Sequence, residues 1–192
     1  MTNKEIFKTM FFAMILELKK EEITMTKPGS IDYLLFGSKP SRQSINIKIG
    51  NRFEKLLNEF SRKMGYPLHN LATTLIKGHQ IDTLIEVNGV LEYEEQKTNA
   101  GLDSEKIKAT INKINEICEA LSKITKKKVK GSIFHTSVWE YSDATTYNSY
   151  YERYRKGGVS VKFMSDYFLS LGVDMSKEEY HTMWGDAGKM LS

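Results

Sequence analysis

Asp82, Glu95 and Lys97 are the residues of this 192-residue chain whose types and spacing could do chemistry together. They lie on Ile81–Asn99, which reads as two strands joined by Asn88-Gly89. Asn-Gly is the strongest short-range hairpin signal, because a type I′ turn needs positive φ at both central residues. With those two residues as the loop, Val87 stands opposite Val90, Leu84 opposite Tyr93 and Asp82 opposite Glu95. Side chains alternate, so Lys97 shares the face of Glu95 and Glu94 does not. Two carboxylates opposed on neighbouring strands repel each other. A divalent cation relieves that repulsion, taking carboxylate oxygens at about 2.0–2.1 Å if it is magnesium. The alternative is a solvated hairpin face carrying charges by chance.

The same register extends backwards through Lys77-Gly78-His79-Gln80. It places Gln80 opposite Lys97, on the site face, and points His79 to the other face. A lone histidine is more often structural or a phosphate contact than a metal ligand, and no second histidine lies at ligand spacing.

Several elements must position this patch. Residues 3–21 are expected to form a helix that buries an apolar face, in the core or against a second subunit. Thr26–Ser44 holds Pro28-Gly29-Ser30 and Lys39-Pro40-Ser41, the marks of an irregular segment that could wrap DNA or a partner. Ile45–Met64 is a helix candidate with Ile49, Phe53, Leu56, Leu57, Phe60 and Met64 as one stripe, ended by Gly65-Tyr66-Pro67. Glu54 flanks that stripe. It belongs either to a surface network with Arg52 and Asn58 or to the hairpin site. After the hairpin, Asp103 or Ser104 can cap a helix through about Thr125. Its buried stripe runs from Ile107 through Ile111, Ile114, Ile117, Cys118 and Leu121 to Ile124. Lysines 126–128 follow, where they suit the helix dipole or contact phosphate. Val129–Trp139 reads as a further strand. The order strand, strand, helix, strand implies a mixed sheet, with parallel pairing across the helix crossover.

Tyr141–Gly158 interleaves Tyr141, Tyr147, Tyr150, Tyr151 and Tyr154 with Asn148, Arg153, Arg155 and Lys156. Aromatic, amide and basic groups together fit a nucleic-acid surface. An amphipathic segment that buries its tyrosines has the same composition. Val161–Leu171 reads as a helix ended by Gly172, and Ser176–Leu191 as a second, capped by Ser176 with Glu178 and Glu179 in its first turn.

The length suits one domain with a real core. Hydrophobic residues make up 40%, charged residues 27%, and the net charge is only +4. That excludes a histone-like overall charge and suits an enzyme with a locally basic cleft. The single cysteine, Cys118, excludes an intramolecular disulfide and reads as a small core residue. Met10–Leu16 is apolar but too short to span a bilayer, and charges follow at once, so a cytoplasmic protein with no membrane contact is expected.

The runs Gly78-His79-Gln80-Ile81-Asp82, Glu95-Gln96-Lys97-Thr98-Asn99 and Leu102-Asp103-Ser104-Glu105-Lys106, after the helix bearing Gly50-Asn51-Arg52-Phe53-Glu54, resemble the core of the PD-(D/E)xK nucleases. They are similar in particular to type II restriction endonucleases. The resemblance covers about residues 45–139. Ile81 stands where the name motif has proline, and Gln96 where an apolar residue is common.

The resemblance implies an α/β fold of the restriction-endonuclease type, a mixed sheet flanked by helices. It would be one domain over 1–192, with an N-terminal helix and loop over 1–44 and a Tyr/basic segment with C-terminal helices over 140–192. It implies a Mg²⁺-dependent endonuclease for double-stranded DNA, with Mn²⁺ able to substitute. Asp82 and Glu95 would be metal ligands, Lys97 would position or activate the attacking water, and Glu54 would be an auxiliary acid. Gln80, Asn99, Lys106, Tyr147, Asn148, Arg153 and Arg155 are the expected DNA contacts. Cutting both strands of a palindrome is simplest for a homodimer. A junction resolvase or repair nuclease of the same fold, a non-catalytic DNA-binding module and an unrelated α/β domain are the competing expectations.

Overall fold

The computed structural model describes residues 1–21, 24–28, 30, 34–35, 37–38, 41–71, 74–98, 104–140 and 148–191. Residues 29, 31–33, 36, 39 and 40 of the segment expected to wrap a partner lie outside them, as does the cap position Asp103. Helix α1 spans Asn3–Lys19. Thr2 Oγ1 accepts from the Glu5 N–H and Glu5 Oε2 accepts from the Thr2 N–H, a reciprocal cap. Its buried residues Phe7, Phe11, Met14, Ile15 and Leu18 recur at helical spacing and enter this chain's own core. Helix α2, Arg42–Lys63, begins three residues earlier than the expected start at Ile45, because Ser41 Oγ caps it by accepting from the Ser44 N–H.

A small hairpin follows, β1 (Leu75–Ile76) and β2 (His79–Gln80). Lys77 and Gly78 both have positive φ, 50° and 78°, so they form a second two-residue turn. This corrects the register expected for Gln80. It pairs with Leu75, not Lys97, and His79 pairs with Ile76.

The main hairpin is β3 (Thr83–Val87) and β4 (Val90–Lys97), with Asn88 at φ 51° and Gly89 at φ 76°. Val87 pairs with Val90 and Leu84 with Tyr93, as the turn demands. Helix α3 (Ser104–Thr125) crosses to β5 (Lys128–His135), which runs parallel to β4. Leu91, Tyr93 and Ile133 pack against its Ile107, Ile114, Ile117 and Leu121, but Ile124, in the last turn, is exposed. The Lys127 ammonium pairs with Glu86 of β3, while its backbone bonds Ser122 and Thr125 in the last turn of α3.

The C-terminal third differs most from expectation. Helix α4 (Asn148–Lys156) leads into strand β6 (Ser160–Phe163), parallel to β5, and then helix α5 (Met164–Ser170). Val161–Phe163 is therefore strand where a helix was expected. The reason is local alternation, with Val159 and Phe163 buried and Ser160 exposed, next to an open strand edge. Helix α6 (Lys177–Leu191) is capped by Ser176 Oγ, which accepts from the Glu179 N–H.

The result is a mixed four-stranded sheet, β3-β4-β5-β6, between two helical layers. Helices α3 and α4 cover one face. The other packs through Phe134 on an aromatic cluster from α1, α2, α5 and α6, with Phe7 edge-on to both Phe60 and Phe168. Among the described residues, no helix is long and apolar enough to cross a membrane.

Candidate functional site

The end of β4 points into a cavity of about 630 Å³ between α2 and α3. Asp82, Glu95, Lys97 and Glu54 all line it. Asp82 sits in the bend just ahead of β3, outside the paired ladder. Its Oδ2 accepts from the backbone N–H of Gln96 at 2.9 Å. Asn58 of α2 donates to the Asp82 carbonyl at 2.8 Å and accepts from the Thr83 hydroxyl, also at 2.8 Å. Gln96 in turn donates to Thr83 Oγ1. That chain of bonds ties α2 to both strands and gives polar Gln96 its place in the sheet.

Glu95 is 2% exposed and on the face toward α3. Its Oε1 accepts from Lys97 Nζ at 2.6 Å. Its Oε2 accepts from Lys113 Nζ at 2.6 Å and from the Tyr93 hydroxyl. Glu94, on the opposite face, pairs instead with the half-buried Lys162. Glu54 borders the cavity half-buried rather than joining a surface network, because Arg52 pairs with Glu21 and Asn58 with Asp82.

The carboxyl groups titrate apart. Burial, then the charges of Glu95 and Glu54, pushes Asp82 up to about 7. Burial and Glu95 also raise Glu54. Burial works to raise Glu95 too, but the charge of Lys97 and the bonds from Lys113, Lys97 and Tyr93 outweigh it and hold the group below the usual range. The site thus keeps one carboxylate firmly ionised beside another whose charge is opposed from two sides.

Among the described residues, no group of three or more His, Cys, Asp or Glu side chains stands at metal-holding spacing. Asp82 and Glu95 are two candidate ligands. A cation such as Mg²⁺ would complete its shell with water and substrate oxygens, as that ion commonly does. The donor set fits a hard divalent cation: both groups are carboxylates, and Asp82 carries charge its neighbours oppose.

The other expected contacts scatter. Gln80 borders a separate hollow of about 320 Å³, which adjoins the main cavity through Asn51 and Glu54. Lys106 is exposed on the first turn of α3. Tyr151 and Tyr154 are buried, as an amphipathic segment that buries its tyrosines requires; Arg153 and Arg155 are exposed, and Arg155 pairs with Glu152. Asn99, Tyr141 and Tyr147 lie outside the described residues, as does the side chain of Asn148. Cys118 is half-buried, and burial pushes its thiol up to about 11, as suits an inert core residue.

Lys113 and Tyr93 escaped the sequence reading. A signal for Lys113 was present: it precedes Ile114 and lies four residues before Ile117, so its stem runs beside the buried stripe of α3. No family model, curated protein or solved structure matches the chain.

Proposed function

We propose that this chain is a Mg²⁺-dependent endonuclease of the restriction-endonuclease-like fold, hydrolysing phosphodiester bonds of double-stranded DNA, most simply as a sequence-specific type II enzyme acting as a homodimer. The observation that carries the reading is the meeting of Asp82, Glu95 and Lys97 in one cavity, with Glu54 on its wall. The arrangement of hairpin, helix and parallel strand supports it.

In hydrolysis a water oxygen bonds to phosphorus and gives up a proton to solvent, the ester P–O bond breaks, and water protonates the departing alkoxide. A bound cation would neutralise charge growing on the phosphate oxygens. Asp82 and Glu95 would hold that cation. Lys97, at the cavity wall, would orient the attacking water or a phosphate oxygen through its ammonium hydrogens. The bond from Gln96 N–H keeps Asp82 turned toward the strand that carries the other two groups.

Incubation of the purified protein with assorted plasmids and a four-way junction in Mg²⁺ tests this. Expected is EDTA-sensitive cleavage of duplex DNA into discrete fragments, lost in Asp82→Ala and in Lys97→Ala. Cleavage confined to the junction would replace restriction with resolution. DNA left intact under every condition would overturn the nuclease reading.

A further inference from the structure

We propose that Lys113 is a positioning residue for Glu95. Together with Tyr93 it occupies Oε2 and leaves Oε1, the oxygen that Lys97 touches, as the one presented to reacting groups. The inference rests on the nuclease reading for its reaction, and on the bonds around Glu95 for its geometry. Each carboxylate oxygen accepts about two hydrogen bonds in its plane. Oε2 takes two, from Lys113 Nζ at 2.6 Å and from the Tyr93 hydroxyl. Among the described residues Oε1 takes one, from Lys97 Nζ at 2.6 Å, which leaves it room for one more partner.

The two donors on Oε2 stand on rigid ground. Tyr93 is fully buried and lies two residues before Glu95 on the same strand face. Lys113 comes from α3, next to Ile114, which sits in the core against β5. Helix and strand approach so closely there that a Cβ on Gly131 would stand 2.3 Å from Ile114 Cγ2. The Lys113 stem is therefore carried by a helix with little freedom to shift. Lys97 is on the last residue of β4 and its side chain is the more exposed of the two lysines.

This division of labour solves a conflict in the site. If Lys97 alone held Glu95, its departure toward a phosphate or water would free the carboxylate to rotate. With Oε2 fixed by two other donors, Lys97 can leave while the plane of the carboxylate stays put. Glu95 Oε1 is then the oxygen left to help hold a cation.

Metal-free crystal structures of the wild type, Lys113→Met and Lys113→Arg test the clamp, alongside cleavage kinetics. In Lys113→Met the Glu95 carboxylate should rotate out of its wild-type plane, and in Lys113→Arg it should not. At saturating Mg²⁺, kcat should fall on the order of 10- to 100-fold in Lys113→Met, the usual scale for partners that orient a ligand, and recover to within a few-fold in Lys113→Arg, with KM for DNA unchanged. An unrotated carboxylate in Lys113→Met overturns the proposal. So does a rise in KM at constant kcat, which would make Lys113 a substrate contact. Should Lys113→Met fail to fold, Tyr93→Phe removes the other donor and is read by the same two measurements. If the wild type cleaves no DNA, the nuclease reading fails, and the carboxylate orientations still decide the clamp.

Discussion

The backbone N–H of Gln96 donates to Asp82 Oδ2 at 2.9 Å, fastening the carboxylate ahead of β3 to the residue between Glu95 and Lys97. The bond holds Asp82 in a place where its charge is unwelcome. Burial and the neighbouring Glu95 and Glu54 raise its carboxyl from 3.8 to about 7.

Asp82→Asn should therefore stabilise the metal-free protein while abolishing cleavage. Asparagine keeps an oxygen for the Gln96 N–H and removes the charge. A folded-state pKa above the unfolded value means the folded form binds the proton more tightly, so stability falls as pH rises from about 4 to about 7. Above that window the full cost is present, on the order of a few kcal/mol. Thermal melts in EDTA should show the variant well above the wild type at pH 8 and close to it at pH 4. A variant that melts lower than the wild type at pH 8 would show that Asp82 is not strained by its neighbours.

Gly131→Ala should weaken both fold and site. The added carbon would stand 2.3 Å from Ile114 Cγ2 and 3.0 Å from Cys118 Sγ. Helix α3 must move off β5, at about 1–3 kcal/mol for an overpacked contact. Lys113 moves with its neighbour Ile114, so kcat should drop as well. Denaturant melts and cleavage rates check the two effects, and an unaltered midpoint would mean the contact yields freely.

How far the sequence could be read depended on the range of each signal. The pairing of Leu84 with Tyr93 was legible because an Asn-Gly turn and period-two alternation are local. The stripe of α3 was legible for the same reason, except at Ile124 in its last turn, where only tertiary packing decides exposure. The Lys113–Glu95 contact joins residues 18 apart on different elements: helical spacing sets Lys113 beside the buried stripe, but no local pattern specifies which strand carboxylate it meets. Gln80 went astray because Lys77-Gly78 made a turn of its own, which cut the extrapolated register short. The tyrosines of α4 were ambiguous in kind, since one composition serves both a binding surface and a buried face.

That ambiguity has a direct measurement. Tyr151 is fully buried, with ring centroids 5.2 Å from His135 and 5.3 Å from Phe163. Tyr151→Ala should cost about 3 kcal/mol or more, the scale for truncating a buried aromatic. Arg153→Ala, on the exposed side of the same helix, should stay within about 0.5 kcal/mol of the wild type. Urea melts of the two variants separate the roles. Equal, small losses would mean that this face of α4 is not part of the core.

His135 provides the sharpest pH test. It follows Phe134 at the end of β5, opposite Lys97 in the register, and is 1% exposed. Among the described residues neither ring nitrogen has a hydrogen-bond partner; the ring packs on Tyr151, Tyr154 and Phe163. Burial, then the charge of Lys97, brings its pKa down from 6.5 to about 4. Between those values the unfolded chain takes up a proton that the folded chain refuses. Stability therefore falls as pH drops through that window, and above it the group adds no pH dependence. His135→Leu removes both the titration and the buried polar atoms. It should raise stability at pH 8 by about 1–3 kcal/mol, the desolvation cost of an unsatisfied group, and by more at pH 5. Urea midpoints at the two pH values measure the gap. A gap that stays constant or narrows in acid would mean that His135 is protonated in the folded chain, paired with an acceptor near Lys97.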